Sequence, residues 1–218
     1  NANHIYNMNG IDLQSIDKER DIGVLMSASL KPSLQCSQAA NRASAILKQI
    51  TRAFMYRDRK VFLLLYKQFV RCHLEFAIPA WSPWLVQDIE ILERVQKRAV
   101  NFIVGLTGKT YEEKLIELNM TSLAERRKKF DLIQTFKILN GHDRVDASIW
   151  FNTVGDNANR LTRNTVYSKN LVATRSRTDI RKNFFSNRVV NLFNSLPTEV
   201  KDARTVKIFK ARLENINL

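Results

Sequence analysis

Residues 92 to 103 read LERVQKRAVNFI, and the reading of this stretch decides the fold. Leu92, Val95, Ala99, Phe102 and Ile103 fall at spacings of three, four, three and one, which puts them on one face of a helix. Arg94, Lys97 and Arg98 lie largely off that face. The helix therefore has an apolar side for a core and a basic side for solvent or for a polyanion.

Helical patterning extends in both directions from this stretch. Upstream, Pro32 sits in a first turn, and Ala39, Ala43, Ile46, Leu47, Ile50 and Phe54 then recur at helical spacing. A second helix over 58–77, with Asp58 as its cap, carries Val61, Leu64, Leu65, Phe69, Val70 and Leu74 on one side. Pro79 and Pro83 stop it. The opening helix runs over 88–104 and closes at Gly105. YEEKLIELN is a short helix, and a longer one runs from a Thr121 cap to Asn140, with Thr121 and Glu125 one residue too far apart for a strict capping box.

The pattern dissolves over 143–179 into a stretch rich in Asn, Thr and Arg. A helix from Thr178 then bears Phe185, Val189, Leu192, Phe193 and Leu196 and ends at Pro197; Thr205 caps a last helix with Val206, Phe209 and Leu213 inward. The first 30 residues look extended. HIYNMNG holds an Asn9-Gly10 hairpin turn, and IGVLM at 22–26 supplies a third short strand. The expected fold class is mainly α: a helical bundle with a short N-terminal β-hairpin and strand region, and an irregular basic segment before two C-terminal helices. Three regions are expected, over 1–30, 31–141 and 142–218.

Composition sets the class of partner. The 218 residues are 44% hydrophobic, a globular balance with enough chain to bury a real core. Net charge is +14, and residues 157–190 hold eight basic side chains against Asp179 alone, or +7. Such clustering points to a polyanion, nucleic acid before membrane. The longest apolar run, VFLLLY at 61–66, falls far short of the roughly 18 residues a membrane span needs. Cys36 and Cys72 read as buried reduced thiols. His4, His73 and His142 are scattered singly, without metal-ligand spacing. A chain starting at Asn1 reads as a piece of a longer protein or a processed product.

Several segments, in order, resemble one protein family. They are ERDIGVLMSASLKPSLQCSQAANRA, LYKQFVRCHLEFAIPAWSPWLVQDIEILERVQKRAV, YEEKLIELNMTSLAERRKKFDLIQTFKILNG and FFSNRVVNLFNSLPTEVKDARTVKIFKARL. Together they are similar to the reverse transcriptases of non-long-terminal-repeat retrotransposons of the jockey-like and chicken-repeat type. The resemblance implies that the chain lies downstream of the catalytic palm. The first strands would be the palm's end, with a primer-gripping hairpin near HIYNMNG, and the helices a thumb with a C-terminal extension. It also implies an RNA-directed DNA polymerase as parent, the rest of that enzyme as partner, and work at chromosomal DNA, hence an intracellular, nuclear site.

The chain contains no Asp-Asp dipeptide. Two-metal nucleotidyl transfer needs convergent carboxylates for both Mg²⁺ ions, so no catalytic residue and no cofactor is expected in this chain, and Mg²⁺ is expected only in the palm.

Binding candidates are therefore basic. Arg94, Lys97 and Arg98 are a solvated helix back, with Glu90–Arg94 and Glu93–Lys97 as pairs, or a phosphate-facing one. The run Arg126, Arg127, Lys128 and Lys129 spans a full turn, so at least one stem must border the apolar stripe. Arg175, Arg177, Arg181, Lys182 and Arg188 enter a helix N-terminus whose N–H groups favour phosphate. Trp81 and Trp84 read as core caps before base-stacking platforms, and Tyr66, Phe69, Phe130, Phe136, Phe184 and Phe185 as core or core edge. Two functions follow: a non-catalytic clamp on the backbone of an RNA, RNA–DNA hybrid or DNA target, or a structural domain that packs on a palm or partner without touching nucleic acid.

Overall fold

The computed structural model describes residues 5–54, 58–154 and 169–216, and the chain is mainly helical with two small antiparallel strand pairs at its N-terminal end. Asn9 and Gly10 both take positive φ, 52° and 83°, and join β1 (Asn7–Met8) to β2 (Ile11–Asp12). A second hairpin stands where one further strand was expected. β3 (Lys18–Asp21) pairs with β4 (Val24–Ser27) through Ile22 and Gly23, also at positive φ. A β-branched residue in that conformation is uncommon, which is why the turn left no mark in the sequence. Val24 enters the core, and the Leu25 N–H donates to the Gln35 side chain at 2.8 Å, tying the hairpin to α1 (Ser33–Ala53).

α1 lies along α5 (Val86–Asn101). Its buried face is mostly small (Ala39, Ala40 and Ala43, with Leu47 and Ile50 beyond), so the larger residues of α5 fill the space between the two helices. Leu92, Val95 and Ala99 are buried on α5, and Ile103 beyond its end, as the opening stretch requires. Truncating the fully buried Leu92 to alanine costs about 2–5 kcal/mol by lost contact and cavity. α5 begins two residues earlier than expected, and Asp88 in its first turn is buried because it accepts from Ser33 Oγ at 2.7 Å.

The expected second helix is three pieces: α2 (Arg59–Leu65), a π-helical turn (Tyr66–Val70) and α3 (Arg71–Glu75). Asp58 caps it, accepting from the Lys60 and Val61 N–H groups. Phe62, Tyr66, Val70 and Leu74 are buried, at strict spacings of four. In a regular helix each such step drifts about 40° around the axis, and the wider π turn takes up that drift. Val61, Leu64 and Phe69, expected on the buried stripe, are instead 49%, 58% and 55% exposed. α4 (Ile78–Trp81) follows, with Trp81 buried and its Nε1–H donated to the Phe76 carbonyl at 2.8 Å.

α6 (Tyr111–Glu117) starts with a capping box between Thr110 and Glu113. So does α7 (Leu123–Leu139), but through Ser122 and Glu125; the cap is Ser122, not Thr121, and at that position the spacing is strict. Two clusters of buried side chains result, one from Val24 to Leu123 and one from Leu132 to Leu213. α7 gives Leu123 to the first and Leu132, Phe136 and Ile138 to the second.

The second cluster gathers α8 (Ala147–Trp150), α10 (Phe185–Asn194), α11 (Thr198–Lys201) and α12 (Val206–Glu214), the last capped by Thr205 as expected. Phe136 stacks on Phe209 with centroids 4.3 Å apart. The helix expected from Thr178 is broken: α9 (Asp179–Lys182) ends before an extended Phe184, and α10 starts afresh. Part of the irregular stretch, with Arg160 and Arg163, lies outside the described residues. Beyond it, Asn194 brackets Leu171, accepting its N–H at 2.8 Å and donating to its carbonyl at 2.9 Å.

Candidate nucleic-acid interface

The basic residues singled out in the sequence divide into two groups. Arg94, Lys97 and Arg98 lie on the exposed back of α5, and Lys128 is exposed on α7. Arg175, Arg177, Arg181 and Lys182 are also exposed. Lys97 Nζ stands 5.1 Å from the centre of the Tyr111 ring, and the Arg181 guanidinium 5.3 Å from that of Phe184. Both cations therefore rest on an aromatic face while their charge stays open to solvent.

Arg126, Arg127 and Arg188 go inward. Arg126 grips Glu75 with two prongs, Nε to Oε1 and Nη2 to Oε2, the latter at 3.0 Å, while Arg71 approaches the same carboxylate at 3.5 Å. Arg127 is 5% exposed, so it cannot reach a phosphate chain in this fold. Burial pulls its pKa below the usual guanidinium value, opposed by the charge of Glu93 and then of Asp131 and Glu75. Arg188 donates to both oxygens of Asp131 at 2.8 Å, to the Asn183 carbonyl at 3.1 Å and to the Pro79 carbonyl at 2.8 Å. Burial raises the Asp131 pKa, and the Arg188 hydrogen bonds oppose that rise. All three were expected to contact phosphates; instead Arg126 links α7 to α3, Arg188 links α10 to α7 and α4, and Arg127 is buried.

The expected pair of Glu93 with Lys97 gives way to a different partnership. Glu93 accepts the Leu123 N–H through both oxygens at 3.2 Å and also takes the Tyr111 hydroxyl. A carboxylate is thereby set at the N-terminal turn of α7, where the helix dipole favours it. Burial first, then the bond to Glu93, keeps Tyr111 protonated well above its ordinary range. Beside it, the fully buried Gln96 accepts from Tyr66 Oη at 2.7 Å and donates to Tyr111 Oη at 2.9 Å and the Thr121 carbonyl at 3.0 Å. This network passed unnoticed in the sequence. A polar residue on the apolar face between Leu92 and Ala99 was its one signal.

The helix-N-terminus argument for residues 175–188 does not survive the break at Asn183. α9 has four residues, with Arg181 and Lys182 in its last turn, so its amides form no phosphate cradle. What remains is a run of exposed cations countered by Asp179 alone. Next to it lies a pocket of about 350 Å³, walled by Pro79, Ile138, Val145, Trp150, Phe184 and Phe185. Phe184, expected at the core or its edge, is 42% exposed at the pocket's rim, and Phe69, with the same expectation, is 55% exposed on the π-helical turn.

Cys36 is buried as expected, but Cys72 is exposed. Among the described residues, no group of three His, Cys, Asp or Glu side chains could hold a metal ion, and no helix is long and apolar enough to cross a membrane. Compared with protein-family models, with curated proteins and with solved structures, the chain finds no match.

Proposed function

We propose that this chain is a non-catalytic nucleic-acid-binding module, the thumb-like template–primer-binding portion of a retrotransposon RNA-directed DNA polymerase. The observation that carries the reading is the exposed cation run Arg175, Arg177, Arg181 and Lys182, in a chain of net charge +14. Exposed Arg94, Lys97, Arg98 and Lys128 add to it. Such side chains neutralise phosphates without reading bases, so binding is strong at low salt and tolerant of sequence. An RNA–DNA hybrid, recognised by shape, suits this chemistry. The carboxylates that would hold Mg²⁺ belong, on this reading, to a palm domain outside the chain.

The test is fluorescence anisotropy of a labelled RNA–DNA hybrid with the purified chain across a salt series. Changing Arg175, Arg177, Arg181 and Lys182 to Glu should flatten the log–log salt slope by roughly 3, at a little under one per phosphate contact. No binding at low ionic strength, by a folded chain, sinks the proposal.

A second reading, a structural domain that packs on a partner, has its own support. Ile5, Tyr6, Met8, Ile11 and Ile22 on the hairpins are all more than 60% exposed. Exposed apolar side chains, where they adjoin in one patch, are the usual mark of a protein contact. The two readings separate cleanly, because the second predicts that the Glu variant behaves like the original.

A further inference from the structure

We propose that the pocket lined by Trp150 and Phe184 takes an unpaired nucleobase from a single-stranded segment. This deepens the nucleic-acid reading above and rests on it. The pocket is of ligand size, about 350 Å³, and formed where α4, α7, α8 and the start of α10 meet. Its distinguishing feature is ring geometry. The planes of Trp150 and Phe184 lie within 3° of parallel with centroids 6.2 Å apart, and Phe185 meets Trp150 edge-on at 71°.

Parallel aromatic planes reward a flat ring, which gains by stacking on them. A branched aliphatic anchor from a protein partner gains only from the apolar walls. The surroundings favour an anion's neighbour as well. Arg181 lies over Phe184, Lys182 follows it, and Arg144 precedes Val145; all three are exposed. Of the acids beside the pocket residue Val145, Asp143 is engaged by Gln134 Nε2 at 2.7 Å and by Lys137 at 4.0 Å, and Asp146 caps α8 by accepting from the Ser148 N–H and hydroxyl. Gln134 lines the pocket, and with its amide nitrogen given to Asp143 its carbonyl oxygen is left to accept from a base N–H. A base in the pocket thus has stacking, an acceptor and cations for its flanking phosphates. The break between α9 and α10 makes the site, because a continuous helix would not set Phe184 at its rim.

The experiment uses the full chain and three labelled probes: a single-stranded RNA, the same backbone with abasic sites, and an RNA–DNA hybrid. The chain should bind the intact strand roughly tenfold more tightly than the abasic one, the range expected for one stacked base. Trp150→Leu and Phe184→Ser should each abolish that preference and leave hybrid affinity unchanged, while Trp150→Phe, which keeps a ring, retains it. Tryptophan fluorescence should be quenched by the intact strand in the original chain and not in Trp150→Leu. Phe184 is 42% exposed, so its serine variant keeps its fold if the Trp150 variant does not. Equal affinity for intact and abasic strands, or a preference that survives Phe184→Ser, overturns the proposal while hybrid binding stands. Failure to bind any probe overturns the wider reading too.

Discussion

Arg188 on α10 and Asp131 on α7 form a two-pronged pair, Nε to Oδ2 and Nη2 to Oδ1, each at 2.8 Å, with the carboxylate residue 6% exposed. Two further donors of Arg188 go to main-chain carbonyls at Asn183 and Pro79. A single guanidinium therefore joins four parts of the chain, and its removal would leave a charge stranded in the interior.

Arg188→Ala should destabilise the fold by about 3–5 kcal/mol, the usual result of breaking a buried pair from one side. Urea denaturation followed by circular dichroism measures this. The double variant Arg188→Met with Asp131→Asn should recover a good part of the loss, because no uncompensated charge remains. Equal loss in single and double variants would show that packing, not charge, explains the effect.

Gln96→Leu should cost more than Tyr66→Phe, although both break the same 2.7 Å hydrogen bond. The leucine leaves the buried Tyr66 hydroxyl without its acceptor and the Thr121 carbonyl without its donor, at about 1–3 kcal/mol for each group left unpaired. The phenylalanine removes one donor and leaves Gln96 two partners. Paired denaturation midpoints decide the order.

The two cysteines should differ sharply toward a thiol reagent. Exposed Cys72 reacts in the folded chain, whereas Cys36, fully buried, reacts only on unfolding. Burial, with Asp88 adding to it, pushes the Cys36 thiol from 9.0 up to about 12. Between those values the unfolded chain loses a proton that the folded chain keeps, so stability falls as pH rises from about 9 toward 12. Cys36→Ala should flatten that part of the profile relative to the original. An unchanged slope would remove Cys36 as a cause.

His73 sets a dependence at the other end. Burial, and then Arg42, lowers its pKa from 6.5. As pH falls through that value the unfolded chain takes up a proton that the folded one resists, so stability is lost toward acid. Melting temperatures measured from pH 7.5 down to 5, scale set by the ordinary histidine value of about 6.5, should fall less steeply in His73→Gln.

Leu64→Gln and Phe69→Ser should change stability by no more than about 0.5 kcal/mol, since both side chains are more than half exposed. If this face meets a partner or another copy, the same variants lower self-association in sedimentation velocity. A large loss of stability would place the two side chains in the core after all.

Much of this fold was legible because caps and periodicity act locally. Asn9-Gly10, Asp58 and Thr205 each do what their residue type favours, and the buried Leu92, Val95 and Ala99 face of α5 follows from spacing alone. The errors share one physical origin, in that tertiary contact overrode a local pattern. Phe62 and Tyr66 displaced Val61 and Leu64 from the core because the π turn changes the period within one helix. Arg126 and Arg188 read as surface charge because the acids that take them, Glu75 and Asp131, lie 51 and 57 residues away. No spacing rule spans such a distance. The Trp150–Phe184 pocket was invisible for the same reason, its rings coming from α8 and from the start of α10, far apart in the sequence.

The passage of α7 through both clusters couples each of them to the same helix. Its first turn is bound to Glu93 and Phe136 in its later turns stacks on Phe209, so melting of one cluster should loosen the helix that both share. A calorimetric scan should accordingly trace a single transition. A chain cut after Gly141 would carry Leu132, Phe136 and Ile138 bare into water, and would be a poorer protein than its own length suggests.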